Sequence, residues 1–207
     1  MPAMTAEPSP STGPRVVLMR HGETAWSLSG QHTGITDVPL TPAGREQARD
    51  ARALLDHLRL VDPLVLASPR ARAQDTAELA GLGRPETTEL LAEWNYGDYE
   101  GLTTPEIRRR APGWTVWTHP CPGGEAATSV QVRADAVLSR AVDTGRDVVL
   151  VGHGHFSRAL LARWVGVPVT DGIHFNMSPA GVSVLGHEHG HRQIASMNVT
   201  AVDRAFR

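Results

Sequence analysis

The chain has 207 residues, a net charge of −2 and 41% hydrophobic residues, which are ordinary values for one globular domain. This charge balance predicts no nucleic-acid partner and no membrane surface, and no stretch approaches the roughly 20 apolar residues of a membrane span. All 20 basic residues are arginine, which excludes a Walker P-loop and Schiff-base catalysis, because both need a lysine.

Residues 1–14 are rich in Pro, Ser and Thr and lack the basic and apolar regions of a secretory signal, so we expect a disordered tail. We expect residues 15–207 to form a single domain. Cys121 is the sole cysteine, so no intrachain disulfide can form, and this agrees with a cytoplasmic location. It lies between two prolines in a loop, and we interpret it as structural. A homodimer is compatible with the sequence.

Apolar runs and helical spacing predict strands that alternate with helices. In chain order these are the strand Val16–Met19, the helix Thr41–Leu58, the strand Leu64–Ala67, the helix Arg70–Ala80, the helix Thr128–Val142, the strand Val148–Val151 and the helix Phe156–Val165. Continuous rather than alternating apolar runs are typical of strands buried on both faces. The sequence therefore predicts an α/β three-layer sandwich, with a mostly parallel central sheet and helices on both faces.

Two regions depart from this alternation. Residues 81–127 are rich in Gly, Pro and aromatic residues, and we expect a loop-and-helix excursion that covers one end of the sheet. Residues 181–199 are expected to form a terminal hairpin that turns at 188–190. Within this hairpin, His187 to His191 matches the H-E-x-x-H zinc motif, but that motif needs a helix. We therefore expect no metal there.

Each predicted strand runs directly into polar residues. The three segments are Arg20-His21-Gly22-Glu23-Thr24, Ser68-Pro69-Arg70-Ala71-Arg72 and Gly152-His153-Gly154-His155. In an open α/β sheet, ligands bind in the crevice at the carboxyl ends of the strands. Arginines, imidazoles and helix N-termini at one such place predict a compact anion, and arginine binds phosphate oxygens in a bidentate fork. The sequence therefore predicts a phosphate site.

The Arg20-His21-Gly22 motif, followed much later by Gly152-His153-Gly154, resembles the histidine phosphatase superfamily, also called phosphoglycerate mutase-like. The resemblance runs from about residue 15 to residue 199. Supporting segments occur in the family's order, namely Thr33-Gly34, Leu40-Thr41-Pro42-Ala43-Gly44, Ser68-Pro69, Arg72-Ala73, Thr76-Ala77, Glu93, Tyr96-Gly97, Glu100-Gly101-Leu102 and Gly123-Gly124-Glu125.

This resemblance implies roles for individual residues. His21 would be the nucleophile that becomes phosphohistidine, and Glu93 would give a proton to the leaving oxygen. The phosphoryl oxygens would be held by Arg20, Arg72 and His153. The rim would be lined by Ser27, Thr33 and Gly34, with a backbone N–H from Gly154.

Other residues near these motifs keep two interpretations. Arg70 either reaches a second anionic group or lies at the surface. His155 and Tyr96 either contact substrate or only pack against their neighbours. The run Arg108–Arg110 is interpreted as a solvated helix end rather than a second phosphate site.

The resemblance therefore implies a phosphoric monoester hydrolase of the histidine acid phosphatase type. It would act on small phosphorylated metabolites without a cofactor or a metal, with an acid-to-neutral rate optimum. The first alternative is a cofactor-dependent phosphoglycerate mutase. Against it, Ser27 and Thr104 stand where mutases carry Asn and Lys. A metal-dependent hydrolase using His21, His153, His155 and Glu93 as ligands, and a phospholigand-binding protein without turnover, are further alternatives.

Overall fold

The structure is a computed structural model and describes residues 14–204, so the predicted tail lies outside the described residues except for Pro14. Its centre is a sheet of six strands in the order β3-β2-β4-β1-β5-β6. The strands are β1 Val16–Arg20, β2 Leu64–Ala67, β3 Glu86–Thr87, β4 Val148–Gly152, β5 Val182–Glu188 and β6 His191–Val199. The strands from β3 to β1 pair in parallel, whereas β5 and β6 are antiparallel.

The helices connect these strands and cover the sheet. They are α1 Ala25–Ser29, α2 Pro42–Asp50, α3 Arg52–His57, α4 Ala71–Leu79, α5 Thr104–Arg108, α6 Ala127–Asp143, α7 Gly154–Trp164 and α8 Ala201–Arg204, with short 3-10 helices at Glu89–Leu91, Gly97–Tyr99 and Val169–His174. Capping residues fix several of the starts. The side chain of Thr41 accepts a hydrogen bond from the Gly44 N–H and so caps α2. Pro42, the next residue, occupies the first helical position.

Strand β1 separates two apolar clusters, because successive side chains of a strand point to opposite faces. Val16 and Leu18 pack with α6 and α7 on one face. Val17 and Met19 pack with α3 and α4 on the other face. The predicted α/β sandwich, with a mostly parallel sheet and helices on both faces, is confirmed.

Two predicted elements differ in detail. The single helix expected over 41–58 is two helices, α2 and α3, because the chain turns more tightly at Ala51, whose carbonyl accepts from the Leu54 N–H three residues ahead. The buried face continues across this turn through Ala48, Ala51 and Leu54. The range expected to be an excursion, 81–127, contains the short strand β3, which joins the edge of the sheet.

The remainder of that range packs its aromatic residues inward. Trp94, Tyr96 and Trp114 are almost completely buried in the same cluster as α6 and α7. Cys121 lies in this cluster too, and burial raises the pKa of its thiol to about 11. The thiol therefore stays protonated at neutral pH and is a poor nucleophile.

The terminal hairpin is present as β5 and β6. The zinc-like motif lies across its turn, because Glu188 pairs with His191 in the ladder and His189 and Gly190 adopt positive φ angles. Across residues 14–204, no group of three or more His, Cys, Asp or Glu side chains is placed to share a metal ion. No helix in that range is both long enough and apolar enough to cross a membrane.

Candidate active site

The predicted strand ends meet because β1 and β4 are parallel neighbours that end at the same level. Arg20 pairs with Gly152 in the ladder, so the residues that follow them, His21 and His153, emerge side by side. Their ring centroids lie 5.2 Å apart in an edge-on arrangement. Both imidazoles are buried.

The ring of His21 is held in one tautomer by its own loop. Its Nδ1 lies 2.7 Å from the carbonyl oxygen of Gly22. A carbonyl oxygen only accepts, so Nδ1 carries the hydrogen, and the neutral ring keeps its lone pair on Nε2. Burial, and after it the charges of Arg20 and Arg72, holds the pKa of His21 well below its ordinary value. The ring is therefore neutral in mildly acidic as well as neutral solution.

His153 is held in the opposite tautomer. The Nε of Arg72 donates to its Nδ1 at 3.2 Å, so the hydrogen of the neutral ring is on Nε2, which contacts Ser68 Oγ at 2.7 Å. Burial, and after it the charge of Arg72, lowers the pKa of His153 well below its ordinary value. His153 can therefore donate a hydrogen bond without carrying a charge.

Arg72 is a completely buried cation in the first turn of α4. Its guanidinium donates to the carbonyl oxygens of Thr36 at 2.8 Å, Thr33 at 3.1 Å and Gly34 at 3.3 Å. Asp37 is a marginal charge partner, 4.0 Å away. Arg72 therefore ties the loop 33–37 to His153 and places its charge beneath the two imidazoles.

Arg20 and Arg70 are the less satisfied cations of the site. Arg20 donates to the carbonyl of Met177 at 2.6 Å, but its buried Nε has no hydrogen-bond partner among the described residues. Burial lowers the pKa of Arg20, with a partial offset from the charge of Glu93. The Nε of Arg70 is likewise buried without a partner in the described part of the chain. Unsatisfied donors of this kind suit an anion that supplies the missing acceptors.

Glu93 approaches the same site from the segment after β3. One carboxylate oxygen, Oε1, accepts from the backbone N–H groups of Trp94 at 2.9 Å and Phe156 at 2.8 Å. The other oxygen, Oε2, accepts from the N–H of His155 at 3.0 Å. The N-terminal turn of α7 therefore orients this carboxyl group, as expected for an acidic group at a helix start.

A pair of glycines packs the nucleophile loop against α2. A Cβ built on Gly22 would lie 2.2 Å from the carbonyl oxygen of Gly44, and one on Gly44 would lie 2.1 Å from that of Glu23. Such distances exclude any side chain at either position. The N–H of Gly22 also donates to Thr76 Oγ1 at 3.1 Å, which links this loop to α4.

These groups surround a cavity of about 280 Å³. Many of the residues predicted from the sequence line it, namely Arg20, His21, Ser27, Thr33, Glu93, Tyr96, Gly154 and His155. Four other predicted residues do not line it, namely Gly34, Arg70, Arg72 and His153. The N–H of Gly34 is already bound to the carboxylate of Glu100, and Ser27 exchanges hydrogen bonds with Thr24, the N-cap of α1. These two residues therefore shape the rim mainly through their neighbours.

Several lining residues were missed by the sequence reasoning. His32 is buried between Tyr96 and Trp114, and burial lowers its pKa to about 4. Arg158 lines the cavity from α7, one turn beyond Gly154. That helical spacing was a usable signal for Arg158, whereas Asn176 lies in an irregular connection that gives none.

Tyr96 and His155 close one side of the cavity. The hydroxyl of Tyr96 lies 2.6 Å from Nδ1 of His155. Burial raises the pKa of Tyr96 and lowers that of His155, so both groups are neutral at ordinary pH. The polar wall that they form therefore adds no charge to the cavity.

Comparison with known proteins places this geometry in a family. The model of the histidine phosphatase superfamily (branch 1) matches residues 16–200. An acid phosphatase of Mycobacterium tuberculosis is 54% identical over 188 residues, which is 90% of this chain and 93% of that protein. Sedoheptulose 1,7-bisphosphatase of Saccharomyces cerevisiae is 34% identical over 191 residues, with 77% of this chain and 70% of that protein covered.

The fold is shared with solved structures. A structure from an open reading frame of Mycobacterium tuberculosis superimposes with a TM-score of 0.89 at 53% sequence identity, covering 91% of this chain and 98% of that one.

Proposed function

This chain belongs to the histidine phosphatase superfamily, and from that membership we propose that it hydrolyses small phosphomonoesters through a phosphohistidine on His21, without a metal ion. The observation that carries the proposal is the state of the His21 ring. Its Nδ1–H is bound to Gly22, and its lowered pKa leaves Nε2 unprotonated. An imidazole in this state is a competent nucleophile toward phosphorus.

The first step transfers the phosphoryl group to the protein. Nε2 of His21 attacks phosphorus, the P–Nε2 bond forms and the ester P–O bond breaks. The charge on the transferring oxygens would be balanced by the guanidinium of Arg20, with Arg72 beneath, and by the neutral Nε2–H of His153 once it exchanges Ser68 Oγ for a phosphoryl oxygen. The carboxyl group of Glu93 would donate a proton to the leaving oxygen, so an alcohol departs.

The second step restores the enzyme. Water enters where the alcohol has left. The Glu93 carboxylate takes a proton from this water as the water oxygen attacks phosphorus. The P–Nε2 bond breaks, inorganic phosphate leaves, and His21 and Glu93 return to their starting states. Because its lowered pKa keeps His21 neutral in mild acid, the nucleophile supports the acid-to-neutral optimum that we propose.

The substrate class rests on size and charge. The cavity of about 280 Å³ has room for a phosphoryl group and a small polar alcohol, such as a sugar. Arg158 lines its outer part and would favour a substrate with further polar or anionic groups. A cytoplasmic location and a homodimer stay predictions from the sequence.

The proposal is tested with p-nitrophenyl phosphate at several pH values, with and without EDTA, beside the variant His21→Ala. We expect activity in mild acid that EDTA leaves intact and that His21→Ala removes nearly completely. Full activity of His21→Ala, or loss of activity on chelation, would falsify the mechanism. The mutase alternative is judged with 3-phosphoglycerate, because a mutase forms 2-phosphoglycerate faster than it releases phosphate.

A further inference from the structure

The segment that carries Glu93 has little regular structure of its own. It follows the 3-10 helix Glu89–Leu91 and runs without a helix or strand until Gly97. Its backbone polar groups therefore need partners from elsewhere, because buried groups are rarely left unpaired. A proton donor on such a segment would otherwise be free to move relative to the two imidazoles.

For three carbonyl oxygens within residues 90–93, the partner is one arginine on α6. Arg133 Nη1 donates to the carbonyl oxygens of Leu90 at 3.0 Å and Ala92 at 2.8 Å. Its Nη2 lies 3.5 Å from the carbonyl oxygen of Glu93 itself. A single guanidinium thus holds three carbonyls in the four residues that end at the proton donor.

Arg133 is itself fixed on its remaining sides. Its Nε and Nη2 bind the two carboxylate oxygens of Glu125 at 2.9 and 2.8 Å, and both side chains are only 17% exposed. This is the bidentate geometry in which an arginine–carboxylate pair is most rigid. Glu125 also holds the residues after Glu93. Its backbone N–H donates to the Asn95 carbonyl, and its carbonyl accepts from the indole N–H of Trp94.

The same guanidinium also contacts the helix that orients the carboxyl group. Its central carbon lies 4.2 Å from the centroid of the Phe156 ring. Phe156 is the residue whose N–H donates to Oε1 of Glu93. Arg133 therefore touches both the backbone that carries Glu93 and the helix turn that holds its carboxylate.

From these contacts we propose that Arg133, locked by Glu125, is a positioning residue for the proton donor Glu93. The proposal rests on the proposed function, since it assigns to Arg133 control over one step of that reaction. Arg133 does not line the cavity and acts only through Glu93. Its loss should therefore weaken protonation of the leaving group and leave attack by His21 intact.

The experiment compares two substrates with different leaving groups. p-Nitrophenolate leaves without a proton, whereas the alkoxide of glycerol 3-phosphate needs one. For Arg133→Lys, which keeps the charge but loses the fork, we expect kcat/KM on glycerol 3-phosphate to fall roughly 10- to 100-fold, as for partial loss of general-acid catalysis. On p-nitrophenyl phosphate it should change by less than about 3-fold, because that step does not use the acid.

Two further variants test whether the selectivity of Arg133→Lys comes from the contact with Glu125. Glu125→Gln leaves Arg133 in place with a weaker lock and should show the same selectivity to a smaller degree. Arg15→Lys is the matched control, because Arg15 forms a similar half-buried pair with Asp147 at the other end of the sheet. It should leave the ratio of the two kcat/KM values unchanged. Equal losses on both substrates for Arg133→Lys and Glu125→Gln overturn the proposal, and so does full activity.

The variant Glu93→Gln distinguishes a failure of the positioning role from a failure of the proposed function. If Glu93→Gln loses the alkyl substrate selectively and the Arg133 and Glu125 variants do not, the positioning role is wrong and the proposed function stands. If Glu93→Gln shows no selectivity, the assignment of the proton donor itself fails.

Discussion

The two ends of the central sheet each hold a partly buried arginine, and the two arginines differ in how many hydrogen-bond partners they have. At the amino ends of β1 and β4, Arg15 binds both oxygens of Asp147 and the carbonyl of Leu58. At the carboxyl ends of the same strands, Arg20 has one carbonyl partner and a buried Nε without a partner in the described residues. At the amino end, protein groups satisfy the hydrogen-bond donors of Arg15. At the carboxyl end, Arg20 keeps a donor that a ligand can use.

The pKa values record the same difference. Burial opposes the charge of Asp147, but the hydrogen bonds and charge of Arg15 outweigh it and lower the pKa of this carboxyl group. At the other end, burial lowers the pKa of Arg20 and of the neighbouring imidazoles, because nothing there compensates fully for lost solvation. The amino end thus contributes stability, while the carboxyl end keeps the electrostatic field that anion binding requires.

The largest effect that this comparison predicts is on rate. Arg20→Met should lower kcat/KM by about 10²–10³-fold, since one donor to the transferring oxygens is lost. The melting temperature should change little or rise, because a poorly solvated cation is replaced by an apolar chain of similar length. Steady-state kinetics and thermal unfolding on the same preparation measure both. A large fall in melting temperature would show that Arg20 stabilises the fold as Arg15 does.

The converse substitution should act on stability alone. Arg15→Met leaves Asp147 without its partner and should cost about 1–2 kcal/mol in the free energy of unfolding, intermediate between exposed and buried pairs. For a chain of this size that lowers the melting temperature by roughly 2–8 °C. Because the pKa of Asp147 is lowered in the fold, this stabilisation is present above the ordinary pKa and is lost as the pH falls through the folded value.

Kinetic constants of Arg15→Met should match those of the unaltered protein. Thermal unfolding from pH 7 to pH 3 provides the measurement, and the gap between the two proteins should narrow at the acid end. A gap that widens in acid, or a change in kcat, would contradict the separation of the two ends.

The smallest predicted effect concerns His32 at the site end. Its folded pKa is about 4, below its ordinary value near 6.5. The unfolded chain therefore binds a proton first as the pH falls, and stability decreases below pH 6.5. Between pH 6.5 and 5.5 this one histidine should account for about 1 kcal/mol.

His32→Gln should flatten the pH dependence of unfolding by that amount, whatever it does to stability at pH 7.5. Denaturant titrations at the two pH values give the difference directly. An unchanged slope would mean that His32 binds protons alike in the folded and the unfolded protein.

The sequence was informative wherever a local signal sufficed. Apolar runs predicted β1, β2 and β4 almost to the residue, and the polar residues that follow them, such as His21 and His153, lie together at one end of the sheet. The parallel order makes this inevitable once the strands are identified.

Contacts to backbone carbonyls had no such signal. Arg72 binds the carbonyls of Thr33, Gly34 and Thr36, and Arg133 binds those that precede Glu93. A carbonyl acceptor is common to all residue types, so no pattern of letters marks it. The split of the helix at Ala51 was missed for a similar reason, because its apolar spacing continues across the turn.

The close packing of Gly22 and Gly44 restricts how this protein can diversify. A methyl group on Gly22 would overlap the backbone of Gly44, and one on Gly44 would overlap the backbone of Glu23, so no change of a neighbouring side chain compensates for a mutation at either position. Natural variation and laboratory selection must leave this pair untouched. New substrate preferences are therefore expected to arise at other residues that line the cavity, such as His32, Thr104 and Arg158.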